Sequence, residues 1–131
     1  MESPRLGARE LGGIWMLKVK RVYEPATEDD GYRILVDRVW PRGFTKERAR
    51  VDEWRRDLGT SDALRKWYGH DPAKWEEFLR RYRAQLEADG TWADLMAIAE
   101  RAEKENVTLI FGSKDLERNQ AVALRELALR R

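Results

Sequence analysis

Ile34, Leu35 and Val36 form a continuous apolar run that ends abruptly at Asp37-Arg38 and then turns through Trp40-Pro41-Arg42-Gly43. A strand that is apolar at consecutive positions is covered on both faces, the usual state of a strand in a parallel sheet. Val107–Phe111 (Val-Thr-Leu-Ile-Phe) repeats the pattern, and Gly112 closes it. Between the two runs lie long stretches of helical periodicity. Apolar strands alternating with helices constrain the chain to an α/β layer.

The other elements follow from spacing and caps. Leu17, Val19 and Val22 interleave with Lys18, Lys20 and Arg21, close to period two, and predict a half-buried first strand. Thr45 caps a helical turn over 46–50, and in 51–59 Trp54 and Leu58 stand at helical spacing. Ser61 or Asp62 caps a short helix to about Tyr68, stopped by Gly69. Asp71 and Pro72 form an N-cap and N1 pair, opening a helix with Trp75, Phe78, Leu79, Tyr82 and Leu86 on one face. That helix ends near Asp89-Gly90. Thr91 caps the next, which turns Trp92, Leu95, Met96, Ala99 and Ala102 inward and ends at Asn106. A last helix is expected over about 116–129, with Asp115 a candidate N-cap.

The expected fold is one small α/β domain over 16–131, with a short, mostly parallel sheet of three strands or slightly more, flanked by helices. Residues 1–15, polar and glycine-containing, read as a flexible or weakly docked extension. The connection over 23–31 is short for a parallel crossover, which usually needs a dozen residues or more, so the pattern leaves a hairpin open there. The long helical connection between the second and third strands makes that pair parallel.

Composition narrows the chemistry. The chain has no cysteine, which removes disulfides, thiolate metal sites and cysteine nucleophiles together. A single histidine, His70, is poor material for a zinc site, and no metal is expected. No apolar run approaches the roughly 20 residues of a membrane span, and no secretory h-region is present, so a cytoplasmic location is the default expectation. The formal net charge is only +2, unlike a dedicated DNA-binding domain. Walker, Gly-x-Gly-x-x-Gly and Gly-x-Ser-x-Gly motifs are absent, which counts against the common nucleotide and serine-hydrolase machineries, and the cofactor is unknown from sequence.

In open parallel sheets ligands bind beyond the carboxyl ends of the strands. If the two apolar strands are neighbours, one rim gathers Asp37, Arg38 and Arg42 from the first and Ser113, Lys114 and Asp115 from the second. Arg38, Arg42 and Lys114 then suit an anionic, phosphate-like small molecule, with Asn119 in reach. Asp37 and His70 are the acid/base candidates, and Trp40 and Trp67 are candidate pocket walls. Each has a purely structural counterpart: an ion pair of Asp37 with Arg38 or Lys114, a loop-bracing histidine, core tryptophans. Two rival functions stay open, a nucleic-acid accessory domain using Arg80, Arg81 and Arg83, and a scaffold without chemistry. Oligomeric state is not legible.

The segments "VKRVYEPATEDDGYRILVDRVWPRG", "LRKWYGHDPAKWEEFLRRYRAQL" and "VTLIFGSKDLERNQAVALREL" resemble the YeaO-like branch of the domain-of-unknown-function family 488 over nearly the whole chain. The resemblance implies a small cytoplasmic α/β protein whose Asp-Arg strand lies in a parallel sheet, which favours parallel pairing over the hairpin. The family pattern falls on Asp37, Arg38, Trp40, Pro41, Arg42, Gly43, Trp67, Gly69, His70, Asp71, Lys114, Asp115 and Asn119. Members often carry histidine near Asn119, where this chain has Arg118 and Gln120, so a mechanism needing a second histidine is not expected here. The resemblance implies a fold and names no reaction.

Overall fold

The computed structural model describes residues 16–130, so the extension expected over 1–15 lies outside the described residues. Four strands, β1 (Leu17–Arg21), β2 (Tyr32–Leu35), β3 (Glu53–Trp54) and β4 (Val107–Phe111), form one sheet. Their order is β1-β4-β2-β3 and every pairing is parallel. The helices are α1 (Lys46–Ala49), α2 (Asp62–Tyr68), α3 (Trp75–Asp89), α4 (Trp92–Arg101) and α5 (Gln120–Leu129).

Three expectations are corrected. The first two strands form no hairpin and do not pair at all, because β4 inserts between them. Four strands fall within the expected three or slightly more, but the fourth, β3, lies in a segment whose Trp54–Leu58 spacing suggested a helix. It is only two residues long, too short for period two to register, and pairing with Ile34 and Leu35 creates it. The last helix begins at Gln120 rather than about 116. Ahead of it Asp115 Oδ1 accepts from the amides of Glu117 and Arg118 (both 3.0 Å), holding a local turn instead of starting a helix. Asn119 is the true N-cap: its Oδ1 accepts from the Val122 amide at 2.9 Å.

The β1–β2 connection spans residues 22–31 without an α-helix and is held by a buried polar cluster. Asp30 receives Lys20 Nζ at 2.8 Å and Arg33 Nη1 at 2.6 Å, and its carbonyl accepts from Thr108 Oγ1 on β4. Arg33 also donates to the Ala49 and Arg50 carbonyls, tying α1 to the sheet. Gly31 follows at φ +63°, where an added Cβ would sit 2.0 Å from the Asn106 carbonyl oxygen. Only glycine passes there.

Both sheet faces are covered, as the apolar runs require. Ile34, Val36, Val107, Leu109 and Phe111 join residues of α2, α3, α4 and α5 in the main core. Leu35 and Ile110, on the alternate positions, pack with Val22 and Ala49 under Trp40, Phe44 and Val51 in a smaller one. α3 anchors the main core to the rim: the fully buried Tyr82 hydroxyl donates to the Leu58 carbonyl. The arginines of α3 are engaged within their own helix, Arg80 and Arg81 with Glu77 and Arg83 with Glu87. Among the described residues no helix is long and apolar enough to cross a membrane.

Candidate functional site

The carboxyl ends of β2 and β4 open side by side. Parallel pairing continues one residue past β2, with Val36 N donating to the Ile110 carbonyl at 3.0 Å, and this delivers Asp37 beside Gly112. The Gly112 amide donates to Asp37 Oδ2 at 2.8 Å, and Gln120, the first residue of α5, donates through Nε2 to Oδ1. A Cβ on residue 112 would lie 3.0 Å from that carboxylate oxygen, so glycine admits the close approach. Among the described residues Asp37 forms no salt bridge with Arg38 or Lys114, so the structural ion pair weighed from sequence is not made. Burial pushes its carboxyl up from 3.8 to about 6, against the opposing hydrogen bonds from Gly112 and Gln120.

Beside this carboxyl lies a cleft of about 720 Å³, lined by the 112–120 segment, the end of α2, His70, Phe78 and Thr60. The volume is within the ~300–1,000 Å³ of small-molecule sites. A smaller recess of about 220 Å³ holds Asp37 and Arg38 and shares Thr60, Arg65 and Gln120 with the cleft. Gln120 is therefore the joint between the half-buried carboxyl and the open site.

Of the residues singled out from sequence, His70, Lys114, Asp115 and Asn119 come together on the cleft, with Asp37 and Arg38 in the adjoining recess. His70 stands exposed at φ +59°, directly after the left-handed Gly69 that ends α2. Asn119 is spent on structure: besides capping α5, its Nδ2 donates to the Asp115 carbonyl at 2.8 Å. Backbone amides of Arg118 and Glu117 hold the Asp115 carboxyl below its ordinary range, so it stays ionised. Arg38 donates through Nε to the Thr60 carbonyl (2.7 Å) and through Nη2 to the Gly59 carbonyl (3.3 Å), bracing the loop before α2.

Three others are placed elsewhere. Arg42 is exposed on the turn after β2 and does not line the cleft. Trp40 donates to the Phe44 carbonyl and packs edge-on against Trp54 over the minor core. Trp67 points to a separate groove, flanked by Lys74 and by Arg81, whose guanidinium lies 4.1 Å from the ring centre.

The cleft also contains residues that pattern reading did not assign. Arg65 and Arg118 join Lys114, so three cationic side chains face one lining carboxylate, Asp115. Tyr68, the last residue of α2, is 6% exposed, and its hydroxyl is buried with no hydrogen-bond partner. An unsatisfied buried hydroxyl costs about 1–3 kcal/mol, and such a group calls for an explanation. Its place one residue before an αL glycine was the available signal, but a tyrosine at a core-facing position reads as packing. Among the described residues no cluster of three metal-ligating side chains occurs.

Comparison with known proteins identifies the lineage. Residues 16–131 match the family model described as the Inactive DUF488-N3 subclade. The chain belongs to the DUF488 family. It is similar to the uncharacterized protein YeaO of Escherichia coli, 38% identical over 111 residues, which cover 82% of this chain and 92% of YeaO. The uncharacterized protein Rv3073c of Mycobacterium tuberculosis is likewise 38% identical over 111 residues, covering 85% of this chain and 92% of the relative. No solved structure matches. In this DUF488 chain the C-terminal rim of the sheet therefore combines a half-buried carboxyl, a cationic cleft and an orphan hydroxyl.

Proposed function

We propose that this DUF488 domain binds a small anionic ligand in the cleft at the C-terminal rim of its sheet and does not turn it over. The observation that carries the reading is the convergence of Arg65, Lys114 and Arg118 on a cleft with a single lining carboxylate. Guanidinium and ammonium groups at a partly enclosed site favour phosphate or carboxylate. The anion-holding role moves from Arg38 and Arg42 to these three, because Arg38 is engaged by backbone carbonyls and Arg42 stands outside.

Two features support binding without turnover. Both oxygens of Asp37, one acid/base candidate, already accept hydrogen bonds from Gly112 and Gln120. The matching family model is described as an inactive subclade. His70 then serves as a rim contact for the ligand.

Thermal shift with inorganic phosphate and pyrophosphate at low ionic strength tests the proposal. A bound anion at one hundred times its Kd stabilises the fold by about 2.7 kcal/mol. That stabilisation should vanish in a Lys114→Ala/Arg118→Ala variant that melts like the parent without ligand. Absence of stabilisation by either anion, or equal stabilisation of the variant, overturns the reading.

A further inference from the structure

Building on the anion-binding reading, we infer that the ligand is a phosphomonoester carrying a planar ring with a polar edge, the class of the nucleoside 5′-monophosphates, and that the Tyr68 hydroxyl reads the ring. A bare phosphate would use only part of what the cleft offers. Its cations come from Arg65, Lys114 and Arg118, but the adjoining wall is aromatic. There Tyr68 stacks on Phe78 with ring centres 4.5 Å apart, and the exposed His70 ring lies 6.3 Å from Tyr68. At about 720 Å³ the cleft is far larger than an inorganic anion and has room for a ring and a sugar.

The Tyr68 hydroxyl singles out the polar edge. It is buried without a partner, next to the charges of Asp115 and Arg118. A ring nitrogen or exocyclic oxygen would accept the hydrogen bond that the protein itself leaves unmade. Arg118 lines the same cleft and its charge acts on that hydroxyl. Its guanidinium is held by an ion pair with the exposed Glu117 at 3.6 Å, so it can move as a ligand enters. A planar, weakly hydrated guanidinium can then stack on the ring while Lys114 neutralises the phosphate. The other cavities fit less well: the groove at Trp67 has its ring already covered by Lys74 and Arg81, and the recess at Arg33 has its buried charges paired.

Isothermal titration of the full chain with AMP, GMP, CMP, UMP, ribose 5-phosphate and inorganic phosphate tests this. At least one nucleotide should bind about tenfold or more tightly than ribose 5-phosphate, the ratio of one well-made hydrogen bond plus stacking. Tyr68→Phe should bring that nucleotide down to the ribose 5-phosphate level, leave inorganic phosphate binding unchanged, and melt no lower than the parent. If all nucleotides bind only as well as ribose 5-phosphate, the ring assignment is wrong while anion binding stands. If a nucleotide is preferred but Tyr68→Phe keeps the preference, the hydroxyl assignment is wrong. If nothing binds, inorganic phosphate included, both readings fall together.

Discussion

Asp37 owes its character to two neighbours and to what is missing around it. It accepts from Gly112 and Gln120, has no cationic partner among the described residues, and is half-buried, so its carboxyl titrates near 6. A carboxyl whose folded-state pKa is raised holds its proton longer in the folded than in the unfolded chain. It therefore costs nothing below pH 3.8, and stability falls as pH rises from there through about 6. Over that window the loss amounts to about 2–3 kcal/mol. Asp37→Asn keeps the shape and, with the Gln120 amide turned over, both hydrogen bonds. Chemical denaturation from pH 4 to 7 should then show a flatter profile than the parent, with the variant more stable at neutrality. An unchanged slope would mean that Asp37 ionises as freely in the folded chain as in the unfolded one.

At the scale of elements, the joint that matters is the short passage from β1 to β2. Asp30 pairs with both Lys20 and Arg33, and Arg33 binds the end of α1, so one carboxylate holds a strand, a crossover and a helix. Asp30→Ala would leave Arg33 buried without its counter-charge, a change that costs about 3–5 kcal/mol. Asp30→Asn should cost less, since it keeps part of the hydrogen bonding. Urea denaturation of both variants checks the order; equal stabilities would show that the Ala49 and Arg50 carbonyls alone satisfy Arg33. No period or motif in the sequence marked this cluster. Asp30 sat in an acidic loop, Glu28-Asp29-Asp30, and only the strand order turns its side chain inward. β3 was invisible for a related reason, as two residues of strand exist only by pairing with β2. The helices before the last one were legible because their caps are local: Ser61 and Asp71 each accept from an amide two or three residues on. Even so, Asp115 and Asn119 compete for the start of the last helix, and the outcome depends on how 113–118 leaves the sheet.

For the whole molecule, the buried Asp30 and the half-buried Asp37 act in opposite directions along the pH axis. Burial alone would raise Asp30, but hydrogen bonds from Lys20, Thr27 and Arg33 outweigh it and hold its carboxyl at about 2. Its contribution is complete above pH 3.8 and is lost as pH falls through about 2, whereas the Asp37 penalty arrives between 3.8 and 6. The sum of these two places greatest stability in acidic solution, near pH 4. Melting temperature across pH 2–8 checks this; a maximum at or above neutrality would show that other groups dominate.

By itself the sequence determined the class of fold, the helices and one end of the candidate site, because apolar runs, periodicity and caps are read from neighbouring residues. It placed Asp37, Lys114 and Asp115 on one rim from the expectation that β2 and β4 are parallel neighbours, which they are. Only the tertiary structure decided which charges are free. Arg38 was drawn onto the Gly59 and Thr60 carbonyls and Arg42 was left on an outer turn, while Arg65 and Arg118 were brought to the cleft. A guanidinium's role depends on which backbone carbonyls lie within hydrogen-bond reach, and that distance is a property of packing. The same holds for Tyr68, a core residue by pattern whose unpartnered hydroxyl becomes visible only when every atom around it is counted.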